Sequence, residues 1–117
     1  MPYTIEETKS YSHPVVAVFT AALGAVAGLE GEVVKQDPKA GTLEAKFSKT
    51  IHGKVLGDRT QVEVTILEKA PDTTDVSVII YPLDPVGRKL MFGARKGVSR
   101  TVLEWFFAHV EHRLKNS

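Results

Sequence analysis

Hydrophobic and polar residues alternate through most of the middle of the chain. In "TLEAKFSKTI", which begins at residue 42, Leu43, Ala45 and Phe47 fall on one side and charged or polar residues on the other. The same spacing recurs in "TQVEVTILEK" from residue 60 and in "VSVIIYP" from residue 76. A period of two is typical of antiparallel strands with one buried face and one wetted face. With two less regular stretches nearer the N-terminus, the pattern predicts about five strands.

Two segments show the three- and four-residue spacing of amphipathic helices instead. The first is "PVVAVFTAALGAVAGL" (14–29), and we expect Ser12 or His13 to cap it. The second begins near Ser99, and its predicted buried stripe is Val102, Leu103, Phe106, Val110 and Leu114. The resulting order is β-α-β-β-β-β-α, in which neighbouring strands run between two helices. We therefore predict an α+β fold in a single domain, residues 1–117, with two helices on one face of an antiparallel sheet of about five strands.

This order, with a long C-terminal helix lying across a curved antiparallel sheet, resembles the helix-grip arrangement of START and Bet v 1-like domains. It is also similar to the compact TATA-binding-protein-like domains of uncharacterised bacterial families. The helix-grip resemblance implies an apolar ligand held between the sheet and the C-terminal helix. Typical members are longer and have two short helices where "SHPVVAVFTAALGAVAGL" predicts one. These two departures argue against a large cavity.

Composition and charge exclude several kinds of protein. Lysine and arginine number 15 and aspartate and glutamate 14, so the net charge of +1 and the absence of a broad basic face argue against nucleic-acid binding. The chain has no cysteine, which excludes disulfides, thiolate nucleophiles and cysteine-ligated zinc. Residues 1–11 lack the pattern of a secretory signal. The apolar run 14–29 is short for a bilayer span, so we expect no transmembrane segment and a cytoplasmic location.

No stretch of the sequence has the spacing of a catalytic or metal site. His109 and His112 are three residues apart but have no matched third ligand, so we expect no metal and no cofactor. "HGKVLGD" (52–58) departs from the phosphate-binding loop pattern, and we interpret it as a hairpin bend. That the protein is an enzyme is the less favoured hypothesis. If it is an enzyme of unrecognised type, Lys49, His52 or His109 are the candidate catalytic residues.

One loop, "DPVGRKLMFGARKGVSR" (84–100), has an unusual concentration of charge. Its cations lie close to the expected N-terminus of the last helix, where free N–H groups favour anions. We predict an anion site formed by Arg88, Lys89, Arg95, Lys96, Ser99 and Arg100. The alternative interpretation is a solvated connection whose cations only keep it soluble. Leu90, Met91 and Phe92 between the cations form either an exposed wedge that enters a membrane surface or a partner groove, or a plug that closes the sheet–helix cleft. We group Met91 and Phe92 with Phe106 of the last helix as predicted pocket or wedge residues.

The sequence therefore favours a non-catalytic binding module. The first hypothesis is a carrier or sensor of a small apolar or amphipathic ligand between the sheet and the last helix, with the basic loop at its mouth. The alternative is a homo-oligomeric protein-interaction module that uses the 88–100 loop and the outer face of the sheet. That second hypothesis predicts exposed aromatic side chains at Tyr81 or Trp105.

Overall fold

The computed structural model describes residues 3–94 and 97–115. Its elements in chain order are β1 (Ile5–Tyr11), α1 (Val15–Gly28), β2 (Glu32–Asp37), β3 (Thr42–Phe47), β4 (Thr50–Ile51), β5 (Lys54–Val55), β6 (Arg59–Ala70), β7 (Thr73–Leu83) and α2 (Val98–Lys115). Five strands form an antiparallel sheet in the order β1-β7-β6-β3-β2, and β4 and β5 pair separately. This confirms the predicted α+β fold and order, and the β4–β5 hairpin lies where the sequence predicts a bend.

The alternation of the sequence corresponds directly to the two faces of the sheet. Leu43 pairs with Val64 in the register of β3 and β6, and Val64 pairs with Val78 in that of β6 and β7. All three side chains are at most 2% exposed, so they form one row of the buried face. Burying such rows of β-branched and aliphatic side chains against the helices is the main favourable contribution to folding.

Both helices pack on this buried face and share one hydrophobic core with the sheet. The predicted stripe of α2 is buried, from Val102 at 0% exposed to Leu114 at 4%. Phe106 and Phe107 are consecutive, yet both are buried, and their rings meet edge to face with centroids 5.9 Å apart. Trp105 is partly buried at the edge of the core.

The two helices pack closely because glycines of α1 leave room for long side chains of α2. A Cβ at Gly28 would lie 2.7 Å from Nδ1 of His109, and one at Gly24 would overlap Arg113. Gly24 and Gly28 are four residues apart, as are His109 and Arg113, so each pair lies on one face of its helix. His109 and Arg113 therefore occupy the space that the two glycines leave free.

The helix ends differ from the sequence-based expectations. α1 begins at Val15 with Pro14 in the capping position and no side-chain cap, so the predicted cap from Ser12 or His13 is wrong. The chain leaves α1 through Glu30, which has a positive φ of 61°. α2 begins at Val98, so Ser99 lies inside its first turn and does not occupy the capping position.

Candidate functional site

The first part of the basic loop is a hydrogen-bonded turn that folds back on β7. The backbone N–H of Asp84 donates to the carbonyl of Arg88 at 2.7 Å, and that of Leu90 donates to the carbonyl of Pro82 at 2.8 Å. The Asp84 carboxylate also accepts the N–H groups of Val86 and Arg88 at 3.0 and 2.8 Å. This use of an aspartate to hold its own turn is typical of the residue. The loop therefore begins as an ordered structure.

The described cations of the predicted anion site do not converge. Arg88 pairs with Asp84 at 3.5 Å, and the Lys89 ammonium lies 4.4 Å from the ring centroid of Tyr81. Arg100 reaches Glu7 of β1 at 2.8 Å. Arg95 and Lys96 lie outside the described residues.

These positions belong to opposite faces of the sheet. Tyr81 follows the fully buried Ile80 of β7, so its ring lies on the outer face. Glu7 pairs in register with the buried Val78, so its side chain points to the helix-covered face. Lys89 and Arg100 are thus held apart by the sheet itself.

The remaining predicted site residues also differ in their exposure to solvent. Phe106 is fully buried in the core and Ser99 is 9% exposed, whereas Phe92 is 86% exposed and Met91 46% exposed. Met91 and Phe92 therefore form an exposed tip and no plug with Phe106.

Tyr81 does not offer the exposed aromatic surface that self-association was expected to use. Its ring is 8% exposed, and its hydroxyl donates to the Glu63 carboxylate at 2.6 Å. Burial, followed by the hydrogen bond to Glu63, raises the pKa of Tyr81 above its usual 10.0. Homo-oligomerisation stays a prediction without support from this residue.

A pocket of about 430 Å³ opens between α2, the end of α1 and the β4–β5 hairpin. We call it the hairpin pocket. Its lining residues are Leu29, Ile51, His52, Lys54, Trp105, Ala108 and His109. Leu29 and Ile51 are buried core residues at its floor, and Trp105 and Ala108 contribute one wall from α2. Apolar walls with a few polar groups at the edge are typical of small-molecule sites.

The hairpin is tied to the end of α1 by a histidine and a glutamate. The backbone N–H of His52 donates to Oε1 of Glu30 at 2.7 Å. Nε2 of the His52 ring lies 2.5 Å from the carbonyl oxygen of Gly28, which can only accept, so Nε2 carries the proton. These two contacts fix one wall of the hairpin pocket relative to α1.

Glu30 and His52 both have positive φ angles, 61° and 51°. His52 and Gly53 together have the φ signs of a tight two-residue hairpin turn. Such conformations are costly for residues other than glycine, and strained residues of this kind cluster at functional sites. Both strained residues are next to the hairpin pocket, which sets this region apart from the rest of the sheet.

His109 presents a neutral imidazole to the hairpin pocket. Arg113 can only donate, and its guanidinium lies 3.0 Å from Nδ1 of His109, so Nδ1 accepts and the proton is on Nε2. Burial lowers the pKa of His109 below its usual 6.5, and the charges of Arg113, His52 and His112 lower it further. The neutral ring can therefore donate a hydrogen bond only through Nε2.

The edge of the hairpin pocket is basic. The Lys54 ammonium lies 5.5 Å from the ring centroid of Trp105, and the neutral His109 ring adds its Nε2–H group. Among the described residues that line this pocket there is no carboxylate. The arrangement suits a ligand with an apolar ring and an acceptor or anionic group at one end.

A second pocket, of about 470 Å³, lies at the base of the basic loop. Its lining includes side chains of both charges, from Lys49, Asp58, Arg59 and Asp84. The Arg59 guanidinium already donates to the carbonyl oxygens of Asp84 and Pro85 at 3.1 and 3.0 Å. Mixed charge and an engaged arginine make this pocket less suited to an amphipathic anion than the hairpin pocket.

Sequence reasoning did not find the hairpin pocket, although it noted three of its residues, His52, Trp105 and His109. His52 and His109 stand far apart in the chain and came into view only as catalytic or metal candidates. No group of three metal-ligating side chains occurs within residues 3–94 and 97–115. In the same part of the chain, neither helix combines the length and apolar character needed to cross a membrane.

No family model matches the sequence of this chain, and no curated protein matches it. Several solved structures do match its fold. Protein MLL2253 from Mesorhizobium loti is 16% identical with a TM-score of 0.62, over 97% of this chain and 98% of that one. Ara h 8.0201 is also 16% identical, with a TM-score of 0.61 and the same coverage.

The di-domain ARO/CYC StfQ from the steffimycin biosynthetic pathway is 11% identical, with a TM-score of 0.60. The match covers 91% of this chain and 42% of StfQ, so the chain spans less than half of that protein. These likenesses, at low identity, are likenesses of fold. They confirm the helix-grip fold that the order of elements suggested.

Proposed function

We propose that this protein is a non-catalytic binding module that holds a small amphipathic ligand in the hairpin pocket. The observation that carries the proposal is the pocket itself, with apolar walls, a basic edge and two strained residues beside it. Its volume of about 430 Å³ falls within the range of small-molecule sites. The proposal keeps the ligand class expected from the sequence and changes its location from the cleft between the sheet and α2, with the basic loop at its mouth, to the hairpin pocket.

The packing under α2 explains why an open pocket is the better candidate than an enclosed cavity. Phe47 from the sheet and Phe106 and Phe107 from α2 are all at most 1% exposed, within one continuous core. A ligand in the middle of this core would displace close-packed side chains, which is costly. The hairpin pocket requires no such displacement, because it is already open.

The pocket geometry also indicates how the ligand is oriented. A flat apolar ring stacks against Trp105, and an acidic or acceptor group at its end lies near Lys54 and the Nε2–H of His109. Charge-assisted hydrogen bonds at this edge give orientation, while the apolar walls contribute most of the binding.

The test uses the single tryptophan of the chain, Trp105, as its reporter. The probe is 8-anilinonaphthalene-1-sulfonate, which combines aromatic rings with one anionic group. We expect saturable quenching of Trp105 emission together with a rise in probe emission, because the ring binds beside the tryptophan. Absence of saturable binding to the folded wild-type protein contradicts the proposal.

The matched variants are Ala108→Phe, which fills the pocket, and Ala40→Phe, which makes the same change at an exposed turn outside it. We expect Ala108→Phe to lose probe binding and Ala40→Phe to keep it, with both unfolding at temperatures near that of the wild type. Equal loss or equal retention in the two variants counts against the hairpin pocket as the site.

A third variant tests the basic edge separately. Lys54→Gln is expected to weaken binding of the sulfonate probe severalfold, because a cation near the anionic group is lost. The same change should leave binding of the uncharged analogue N-phenyl-1-naphthylamine unaltered. A parallel loss for both probes means that Lys54 acts through the shape of the pocket and not through its charge.

A further inference from the structure

The turn that opens the basic loop presents apolar side chains to solvent next to a cation. We call Val86, Arg88, Met91 and Phe92 the loop tip. Val86 is 72% exposed, Met91 46% and Phe92 86%, and the side chain of Arg88 is 81% exposed. Large apolar side chains exposed at adjacent positions, as at Met91 and Phe92, are a feature of surfaces that contact a partner or a membrane.

The backbone of the loop tip is hydrogen-bonded between Asp84 and Leu90. Asp84 accepts two N–H groups of the turn, and Leu90 bonds back to β7 through the carbonyl of Pro82. Lys89 forms an isolated bridge with Leu83, and its ammonium packs over Tyr81. Because these contacts are already made, the turn that displays Val86 and Arg88 needs little further ordering of its backbone when it binds.

The charge close to the loop tip is positive on balance. Residues 84–94 have two basic residues, Arg88 and Lys89, and one acidic residue, Asp84. This aspartate is engaged by the turn and by Arg88. A surface that combines exposed apolar groups with an excess of positive charge is complementary to an anionic surface.

We propose that the loop tip docks on an anionic lipid surface, with Phe92 and Met91 entering the interfacial layer and Arg88 close to the lipid phosphates. This inference is independent of the ligand pocket. Three exposed apolar side chains offer far less than the roughly 800 Å² per partner of a stable protein interface. A lipid interface, in contrast, accepts a few apolar side chains when nearby cations add attraction. A lipid surface is therefore the occupant that fits this small patch.

The experiment measures co-sedimentation of the full chain with two kinds of vesicle. One kind contains phosphatidylcholine alone, and the other contains phosphatidylcholine with phosphatidylglycerol. We expect binding to the vesicles that contain phosphatidylglycerol, much weaker binding to phosphatidylcholine alone, and release as salt is added. Equal binding to both vesicles, or none to either, overturns the proposal.

Two pairs of variants identify the side chains involved. Phe92→Ser should weaken vesicle binding by about tenfold or more, because the variant has no aromatic ring to transfer from water into the lipid interface. Leu67→Ser, at an apolar residue of β6 that is 61% exposed, should bind as the wild type does. Arg88→Gln should weaken binding relative to Lys39→Gln, which removes a charge at a distant turn.

All four variants alter exposed side chains, so a thermal unfolding curve for each confirms that the protein is folded. Equal vesicle binding by Phe92→Ser and Leu67→Ser overturns the assignment to the loop tip. A second measurement, sedimentation of the protein without vesicles, separates a protein contact from a lipid contact. A dimer that Phe92→Ser abolishes, with no vesicle binding by the wild type, overturns the proposal in favour of self-association.

Discussion

Gly31 follows the end of α1 and lies directly against a core aromatic ring. A Cβ at this position would be 2.5 Å from Cε1 and 2.6 Å from Cδ1 of Phe47, and 3.0 Å from Cγ1 of Val26. Phe47 is 1% exposed, so its ring has little freedom to move. Gly31 does not have a positive φ, and glycine is needed here for space and not for backbone conformation.

We expect Gly31→Ala to lower the free energy of unfolding by about 1–3 kcal/mol, the usual cost of an overpacked core. Urea unfolding followed by circular dichroism measures this change. In a Phe47→Leu background the substitution should cost less, because the ring that the new methyl group meets has been removed. The same cost in both backgrounds contradicts this explanation.

His109 makes stability depend on pH through its lowered pKa. The folded protein holds its imidazole neutral at a pH where the unfolded chain, with a pKa near 6.5, already binds a proton. The unfolded state then binds more protons, so the free energy of unfolding falls as pH decreases below about 6.5. This contribution is present above that pH and is lost as pH falls through the folded-state pKa.

The variant His109→Gln keeps an acceptor for Arg113 and removes the titrating group. We expect its free energy of unfolding to fall less steeply than that of the wild type between pH about 7 and pH about 5. Urea unfolding across this range measures both profiles. Parallel profiles for the two proteins contradict a lowered pKa at His109.

At the scale of elements, the β4–β5 hairpin depends on α1 for its position. Each of its strands has only two residues, and a hairpin this short is marginal by itself. The Glu30 carboxylate accepts the N–H of His52, and the His52 ring bonds to Gly28. The end of α1 therefore holds the wall of the hairpin pocket in place.

Glu30→Ala should loosen this attachment without unfolding the protein. We expect faster hydrogen exchange in residues 49–57, with the free energy of unfolding lowered by about 1 kcal/mol, the usual value of one hydrogen bond. Glu32→Ala, at an exposed residue of β2, is the control and should leave exchange in this segment unchanged. Equal exchange in the two variants contradicts the role given to Glu30.

Periodicity in the sequence was sufficient to predict the five main strands and both helices. Each strand of the sheet buries one face, so its apolar residues must alternate, and the stretches around Leu43, Val64 and Val78 show that alternation in the order of residues alone. The hairpin pocket has no such local signal. Its residues come from the end of α1, the hairpin and α2, and only the packing of these elements brings Leu29, His52 and Trp105 together.

The described cations of the predicted anion site lie apart from one another for a related reason. Sequence distance placed Lys89 and Arg100 close together near the start of α2. The turn after Asp84, however, folds over the outer face of the sheet, whereas α2 lies on the inner face. Closeness of two residues in the sequence does not determine on which face of the sheet the loop between them lies.

For the whole molecule, one continuous core joins the sheet to both helices. Phe106 lies within it at 0% exposed, while Phe92 in the basic loop is 86% exposed. The two residues were grouped in the sequence-based hypothesis of a pocket or wedge, and their different burial leads to opposite expectations for the same substitution.

We expect Phe106→Ala to lower the free energy of unfolding by about 3–5 kcal/mol, because it removes buried contacts and leaves a cavity. Phe92→Ala, an identical chemical change at an exposed site, should stay within about 0.5 kcal/mol of the wild type. Urea unfolding of both variants measures the difference. The milder Phe106→Leu keeps the comparison measurable if Phe106→Ala does not fold.

Because the hairpin pocket is built on this same core, urea unfolding followed by Trp105 fluorescence should coincide with unfolding followed by far-ultraviolet circular dichroism. The two curves should remain superimposed in Phe106→Leu and shift together to lower urea concentration. A fluorescence transition that precedes the loss of secondary structure would mean that the pocket opens as a separate unit. Ligand binding would then stabilise the hairpin region more than the sheet, and the single core would not describe the energetics of the molecule.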